Sequence, residues 1–164
     1  MARRQGSGGV DPRGDEGAAM LEFIALSLLL LVPLIYLVVT LSRVQAGAFA
    51  AESAASEAAR AVVVTGVRQL EDGASRSSAM GQGEQRAQAA VRLVASDFGF
   101  TSEDASLVLH CDGTCLAPGS DVTAVVTMHV ALPGIPGFLS GSVPLDVEVV
   151  GSARSPVDSL TEDS

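Results

Sequence analysis

Hydrophobic positions along the chain change their spacing twice. An uninterrupted apolar run extends from Phe23 to Leu41, about 19 uncharged residues or about 28 Å of helix, which matches the hydrocarbon core of a bilayer. From Val44 the chain is rich in Ala and favours helix, and beyond Gly99 apolar and polar residues alternate as in strands. We therefore predict an α+β chain. A long N-terminal transmembrane helix continues into a small C-terminal domain with a second helix and a three- or four-stranded antiparallel sheet.

The long helix is predicted over residues 18–65, with its transmembrane segment at about residues 23–42. Pro33 lies inside the span and predicts a kink, which is either a bend without a role or a locally melted stretch. Beyond the span, small residues recur every four positions, so each column lies on one helix face. The columns suit packing against the chain's own C-terminal domain or against helices of other subunits. They are Ala46, Ala50, Ala54, Ala58 and Gly47, Ala51, Ala55, Ala59.

After the long helix, a Ser- and Gly-rich stretch predicts a loop at residues 66–83. The sequence beyond it predicts a small extracytoplasmic α+β domain at residues 84–154. Its helix is predicted at Glu84–Phe98, with one apolar side at helical spacing. A polar, acidic stretch at residues 155–164 predicts a flexible tail. Three Val-, Leu- and Thr-rich segments predict strands: Ala105–Cys111, Asp121–Leu132 and Ser142–Val150.

Cys111 and Cys115 bracket a tight turn after the predicted span, which favours a disulfide in an oxidising compartment. The enclosed loop is short, so the bond is expected to stabilise the fold only modestly. A redox-catalytic pair is disfavoured because the spacing is C-x3-C and no thioredoxin-like βαβ pattern surrounds it. Metal binding through His110 and the two cysteines stays open, but it needs a fourth ligand that the sequence does not place.

Composition excludes several functions. The 164 residues carry a net charge of −9, with 10 basic and 19 acidic residues, and every basic residue is Arg. No basic patch is present to neutralise phosphates, so we do not expect nucleic-acid binding. The two histidines and the scattered acids match no catalytic motif. We expect no enzyme, cofactor, bound metal or small-molecule substrate.

Residues just before the apolar run carry the most specific signal. A carboxylate near a membrane span is costly and usually has a purpose, and Glu22 lies five residues after Gly17 and directly before Phe23. This arrangement resembles the processing site of type IV prepilins. With the Ala-rich continuation, it is most similar to TadE-like pseudopilins, or minor pilins, of tight-adherence (Tad, type IVb) pilus systems. The motif itself covers about residues 14–43, and Asp15 and Glu16 stand where pilin leaders often end in a basic residue.

The resemblance implies a function and a set of partners. Residues 1–17 would be a prepilin-type leader, and a membrane-embedded prepilin peptidase would cut the Gly17–Ala18 bond. Glu22 of one subunit would then neutralise the new Ala18 amine of its neighbour, with Phe23 part of the recognition motif. The implied role is structural, in assembling an adhesive type IVb (Tad/Flp) pilus or its secretion apparatus. Implied partners are the membrane, the peptidase, other pilin-like subunits and Tad assembly platform proteins.

Two other classes stay open. One is a signal-anchored extracytoplasmic binding domain unrelated to pili, and the other is a secreted domain released after Ala48-Phe49-Ala50. Three Arg precede the span, against Arg43 and Arg60 after it, which is a marginal charge bias. The expected orientation therefore rests on the resemblance and the cysteines. It places the chain in the cytoplasmic membrane as a single-pass protein, with a cytoplasmic N-terminus and an extracytoplasmic domain. Incorporation into a cell-surface pilus stays open.

Overall fold

A computed structural model of the chain describes residues 12–133 and 146–158. The fold of these residues is α+β, with a long N-terminal helix, a second helix and a three-stranded antiparallel sheet, as predicted. Contacts divide the chain into two compact units, Met1–Val39 and Thr40–Ser164. The elements are α1 (Pro12–Glu71), α2 (Arg76–Asp97), β1 (Ala105–Asp112), β2 (Asp121–Ala131) and β3 (Asp146–Pro156).

The first unit contains the N-terminal part of α1. The helix begins at Pro12, earlier than the predicted start at residue 18. Pro is favoured in the first turn of a helix because its missing N–H would have no partner there. Helix α1 continues through Pro33 as one element. The large apolar side chains between Met20 and Val39 are 41–74% exposed, so this stretch presents a continuous apolar surface.

The connection between the helices is much shorter than predicted. Helix α1 continues to Glu71 and α2 begins at Arg76, so the predicted loop at residues 66–83 is wrong. The Ser-rich stretch instead starts α2, because the Ser75 side chain accepts a hydrogen bond from the Ser78 backbone N–H at 3.3 Å and caps the helix. Gly83 lies inside α2, where a Cβ would stand 3.0 Å from the Val62 carbonyl oxygen.

Small residues of both helices form much of the core of the second unit. The buried positions of α2 recur every four residues along one face, from Ala79 to Ala95. On α1, six alanines of the two predicted columns are at most 1% exposed: Ala50, Ala51, Ala54, Ala55, Ala58 and Ala59. These positions therefore pack within the chain's own domain, which confirms the first of the two interpretations of the columns.

The sheet has the order β1-β2-β3, with β2 in the centre. The predicted alternation in β2 is confirmed, because five side chains from Val122 to Val130 are fully buried, while their neighbours from Thr123 to His129 are half-buried on the opposite face. Strand β3 continues to Pro156, so the predicted strand end at Val150 and the tail start at residue 155 are wrong. The predicted residues 142–145 of this strand lie outside the described residues.

Candidate functional site: the N-terminal helix and the disulfide turn

The proposed processing bond lies on an open part of α1. Gly17 and Ala18 are both exposed, and a Cβ placed on Gly17 would meet no atom within 4 Å. Both residues are helical, and Gly17 follows the start of the helix by about a turn and a half. The backbone there is therefore accessible, but it must unwind before an enzyme can bind it in an extended form.

Glu22 and Phe23 follow one turn later, and both are exposed, with Phe23 71% exposed. Glu22 is the only charged residue from Ala18 to Ser42. Among the residues that the structure describes, none forms an ion pair with it. The helix thus presents one isolated carboxylate at the start of an apolar surface, an arrangement that is costly in a membrane unless the charge finds a partner.

One helix among the described residues is long and apolar enough to cross a membrane, and it lies near the N-terminus. The most apolar 18-residue stretch of this helix is not buried within the protein. Exposed apolar surface of this extent marks a membrane or protein contact. The chain is therefore consistent with a single-pass membrane protein, although an N-terminal signal sequence meets the same criteria of length and composition.

The predicted disulfide is present. Cys111 at the end of β1 is bonded to Cys115, with an S–S distance of 2.02 Å and a Cα–Cα distance of 5.2 Å. Both cysteines are half-buried, whereas the neighbouring His110 is exposed. The bond occupies both sulfurs, so the alternative metal site with His110 is not formed. Within residues 12–133 and 146–158, no group of three or more His, Cys, Asp and Glu is placed to hold a metal ion.

Leu116 follows the disulfide directly and was missed by sequence reasoning. It is the only described non-glycine residue with a positive φ, 60°, and it is 2% exposed. Its side chain fills a notch on α1 at Gly66, where a Cβ would lie 2.5 Å from the Leu116 Cδ1 atom. The available signal was a single large apolar residue within a turn otherwise made of small and polar residues.

An apolar cavity of about 320 Å³ lies beside Leu116, at the C-terminal end of α1. It was also missed, because it forms only where three parts of the chain that are distant in sequence meet. Leu116 and Pro118 contribute one wall, and the end of β3 contributes another. The lining residues are Val63, Val67, Leu70, Glu71, Arg76, Leu116, Pro118, Pro156, Val157 and Asp158.

Charged side chains gather around His129 on the outer face of the sheet. The His129 Nδ1 atom lies 3.4 Å from Asp146 Oδ2 and 3.7 Å from Glu148 Oε1. Nearby, the Thr101 backbone N–H and hydroxyl donate to Asp104 Oδ2 at 2.7 and 2.8 Å. These two hydrogen bonds, with a smaller contribution from His129, lower the pKa of Asp104. Since His129 and its partners are exposed or half-exposed, we assign this cluster to the solvated surface.

Comparison of the chain with protein-family models, with curated proteins and with solved structures found no match.

Proposed function

We propose that this protein is a pilin-like structural subunit, a TadE-like minor pilin or pseudopilin of a Tad (type IVb) pilus system. The observation that carries the proposal is the lone Glu22 carboxylate at the start of an exposed apolar helix, five residues after the open backbone at Gly17. An uncleaved anchor has no need for a charge at this position, whereas a processed pilin has a use for it. The resemblance to prepilins in residues 14–43 supplies the class.

Processing by a prepilin peptidase would hydrolyse the Gly17–Ala18 bond and leave a free amine on Ala18. The bond lies within α1, so the helix start must open locally first. Gly is about 1 kcal/mol less favourable than Ala inside a helix, and helix ends fray, so opening costs little at Gly17. Among the described residues, no atom lies within 4 Å of a Cβ placed on Gly17, which leaves room for an approaching enzyme.

Assembly would then depend on the positive charge of the new Ala18 amine. The Ala18 amine is a cation at the membrane boundary, and pairing it with the Glu22 carboxylate of a neighbouring subunit offsets the cost of both charges in a low-dielectric setting. The alanine columns of α1 support this division of roles. Because the alanine columns are buried within the domain, contacts between subunits would be made by the exposed apolar stretch and by the outer face of the helix.

The C-terminal domain would lie outside the cytoplasm. A disulfide is typical of an oxidising compartment, and the Cys111–Cys115 bond supports this location. The domain would act by binding other pilus components rather than by catalysis. The proposed partners are the membrane, the prepilin peptidase, other pilin-like subunits and Tad platform proteins.

Replacing the carboxylate tests the proposal. The Glu22→Ala variant and the control Ser27→Ala would be expressed in cells that contain the peptidase and the pilus machinery. Cleavage would be followed by mass spectrometry, and incorporation by co-purification with other pilin-like subunits. We expect Glu22→Ala to lower incorporation by about tenfold or more, because a bare charge is left in the membrane. We expect Ser27→Ala to match the wild type. Unchanged cleavage and incorporation in Glu22→Ala would contradict the proposal.

The second candidate is a membrane-anchored extracytoplasmic binding domain unrelated to pili, and the apolar cavity at the end of α1 favours it. A volume of about 320 Å³ is at the lower end of the range for small-ligand sites. This candidate requires the full-length chain to persist in the membrane whether or not a prepilin peptidase is present. Comparing the chain from strains with and without the peptidase distinguishes the two functions.

A further inference from the structure

We propose that the Cys111–Cys115 disulfide is a redox-sensitive latch that keeps Leu116 seated against Gly66 and thereby narrows the apolar cavity at the end of α1. We call residues Cys111–Leu116 the disulfide turn. The disulfide and the cavity both lie in the second unit, and the latch is independent of the pilus function.

The backbone at Leu116 is held in a conformation that leucine avoids. Ala117 N–H donates to the Thr114 carbonyl at 3.1 Å, so Cys115 and Leu116 are the two central residues of a β-turn. A positive φ at the second central position is normally adopted by glycine, because a side chain there is crowded by its own backbone. Such a conformation persists only where the surroundings impose it.

Two constraints impose the positive φ of Leu116 here, one on the preceding residue and one on the Leu116 side chain. The disulfide fixes Cys115, the preceding residue, to the end of β1. The buried side chain fixes Leu116 itself, since its methyl groups fill the space that Gly66 leaves open on α1. Removing the first constraint leaves the side-chain contact and the hydrogen bonds at Ala117 to oppose the strain of the turn.

The rest of the fold does not depend on the disulfide. Beyond the turn, Gly119 N–H donates to the Val157 carbonyl at 3.1 Å, and Val157 N–H donates to the Ser120 carbonyl at 2.8 Å. Pairing of β1 with β2 already extends to Asp112 and Asp121. The sheet therefore holds both ends of the connection, and breaking the disulfide frees only the segment between them.

Leu116 packs on α1 at Gly66, near the end of the helix. It lines the cavity together with Val63, Val67 and Leu70. When Leu116 moves outward, the cavity widens and these side chains meet water. The oxidised domain therefore has a narrow apolar cavity at this end, and the reduced domain has a wider apolar groove at the same place.

A dithiol is sufficient to release the latch. One thiolate of the dithiol attacks a sulfur of the Cys111–Cys115 bond, the S–S bond breaks, and a mixed disulfide forms. The second thiol of the dithiol then displaces the protein sulfur. Two electrons and two protons pass to the protein, which holds two cysteine thiols, and the dithiol becomes a disulfide.

Hydrogen exchange tests the latch on the full chain in lipid nanodiscs, with and without dithiothreitol. We expect reduction to raise amide exchange about tenfold or more in residues 63–71 and 114–118, and to leave residues 122–130 unchanged. An equal rise in all three segments would mean general destabilisation and would overturn the proposal. No change in any segment would overturn it as well.

Variants separate the bond from the side chain that it holds. Leu116→Gly keeps the disulfide and suits the positive φ, but it removes the side chain from the notch. We expect it to show the fast exchange at residues 63–71 without reductant, with little further effect of dithiothreitol. The exposed Val108→Ser is the control and should behave as the wild type. A protected α1 end in oxidised Leu116→Gly would contradict the assigned role of Leu116.

Discussion

Gly151 of β3 lies directly against the backbone of Ala51 of α1. A Cβ on Gly151 would overlap the Ala51 carbonyl carbon and would lie 2.5 Å from the carbonyl oxygen. Gly151 is buried, and it faces the helix from a strand that pairs with β2 at Val126. Since the approaching atoms are backbone, they cannot move aside as a flexible side chain would. This contact sets the distance between helix and sheet.

Substitution of Gly151 tests that close approach. We expect Gly151→Ala to lower the free energy of unfolding by about 1–3 kcal/mol, the usual cost of overpacking a filled core. The measurement is denaturant unfolding of the full chain in detergent, followed by circular dichroism. Gly81→Ala in α2 is the matched control, because a Cβ there meets no atom within 4 Å. It should stabilise by about 0.5–1 kcal/mol through helix propensity. Equal effects of the two substitutions would contradict the contact.

The alanine columns of α1 yield a second prediction. Ala55 is fully buried within the domain and its neighbour Ser56 is exposed. We expect Ala55→Leu to lower the free energy of unfolding by about 1–3 kcal/mol, because the larger side chain has no space. Ser56→Leu should change it by less than about 0.5 kcal/mol, as for most surface substitutions. If Ala55→Leu leaves stability unchanged but disrupts contacts between subunits, the columns serve assembly instead.

Asp104 gives the domain a predictable acid sensitivity. Hydrogen bonds from Thr101 lower the pKa of this carboxyl in the folded chain, so the folded state binds the proton less tightly than the unfolded state. The stabilisation is therefore present above the unfolded pKa of about 3.9, and it is lost as the pH falls through the lowered folded value. We expect Asp104→Asn to show a shallower loss of stability than the wild type as the pH falls below about 4.

Two neighbours control this experiment. Thr101→Val removes the hydroxyl donor but keeps the backbone N–H, so its pH dependence should lie between those of the wild type and Asp104→Asn. Ser102→Ala keeps both donors to Asp104 and should follow the wild type. Identical acid unfolding curves for all four proteins would show that Asp104 does not contribute.

The sequence predicted correctly those features that are determined by residues close together in the chain. The alternation in β2, the apolar span and the Cys111–Cys115 bond each follow from residues close together in the chain. The start of α2 and the end of β3 were not predicted correctly, because Gly83 and Gly151 look like breaks when each segment is considered alone. In the folded domain each glycine lies where another backbone comes close, Val62 in one case and Ala51 in the other.

The site residues also fall into those that local sequence spacing predicts and those that only the folded structure brings together. Gly17, Glu22 and Phe23 were found from their spacing ahead of the apolar run, and the structure describes all three as exposed. Leu116 and the cavity beside it could not be found, because they arise where the ends of α1 and β3 meet the disulfide turn. No pattern within the turn specifies the notch at Gly66 into which Leu116 fits.

The N-terminus of the protein isolated from membranes tests the central proposal most directly. The protein would be purified from cells with an active prepilin peptidase, and intact mass and N-terminal sequencing would identify its first residue. Pilin-type processing predicts Ala18, with residues 1–17 removed. A chain that begins at Met1 or Ala2 would contradict pilin-type processing, and one that begins at Ala51 would identify a secreted domain.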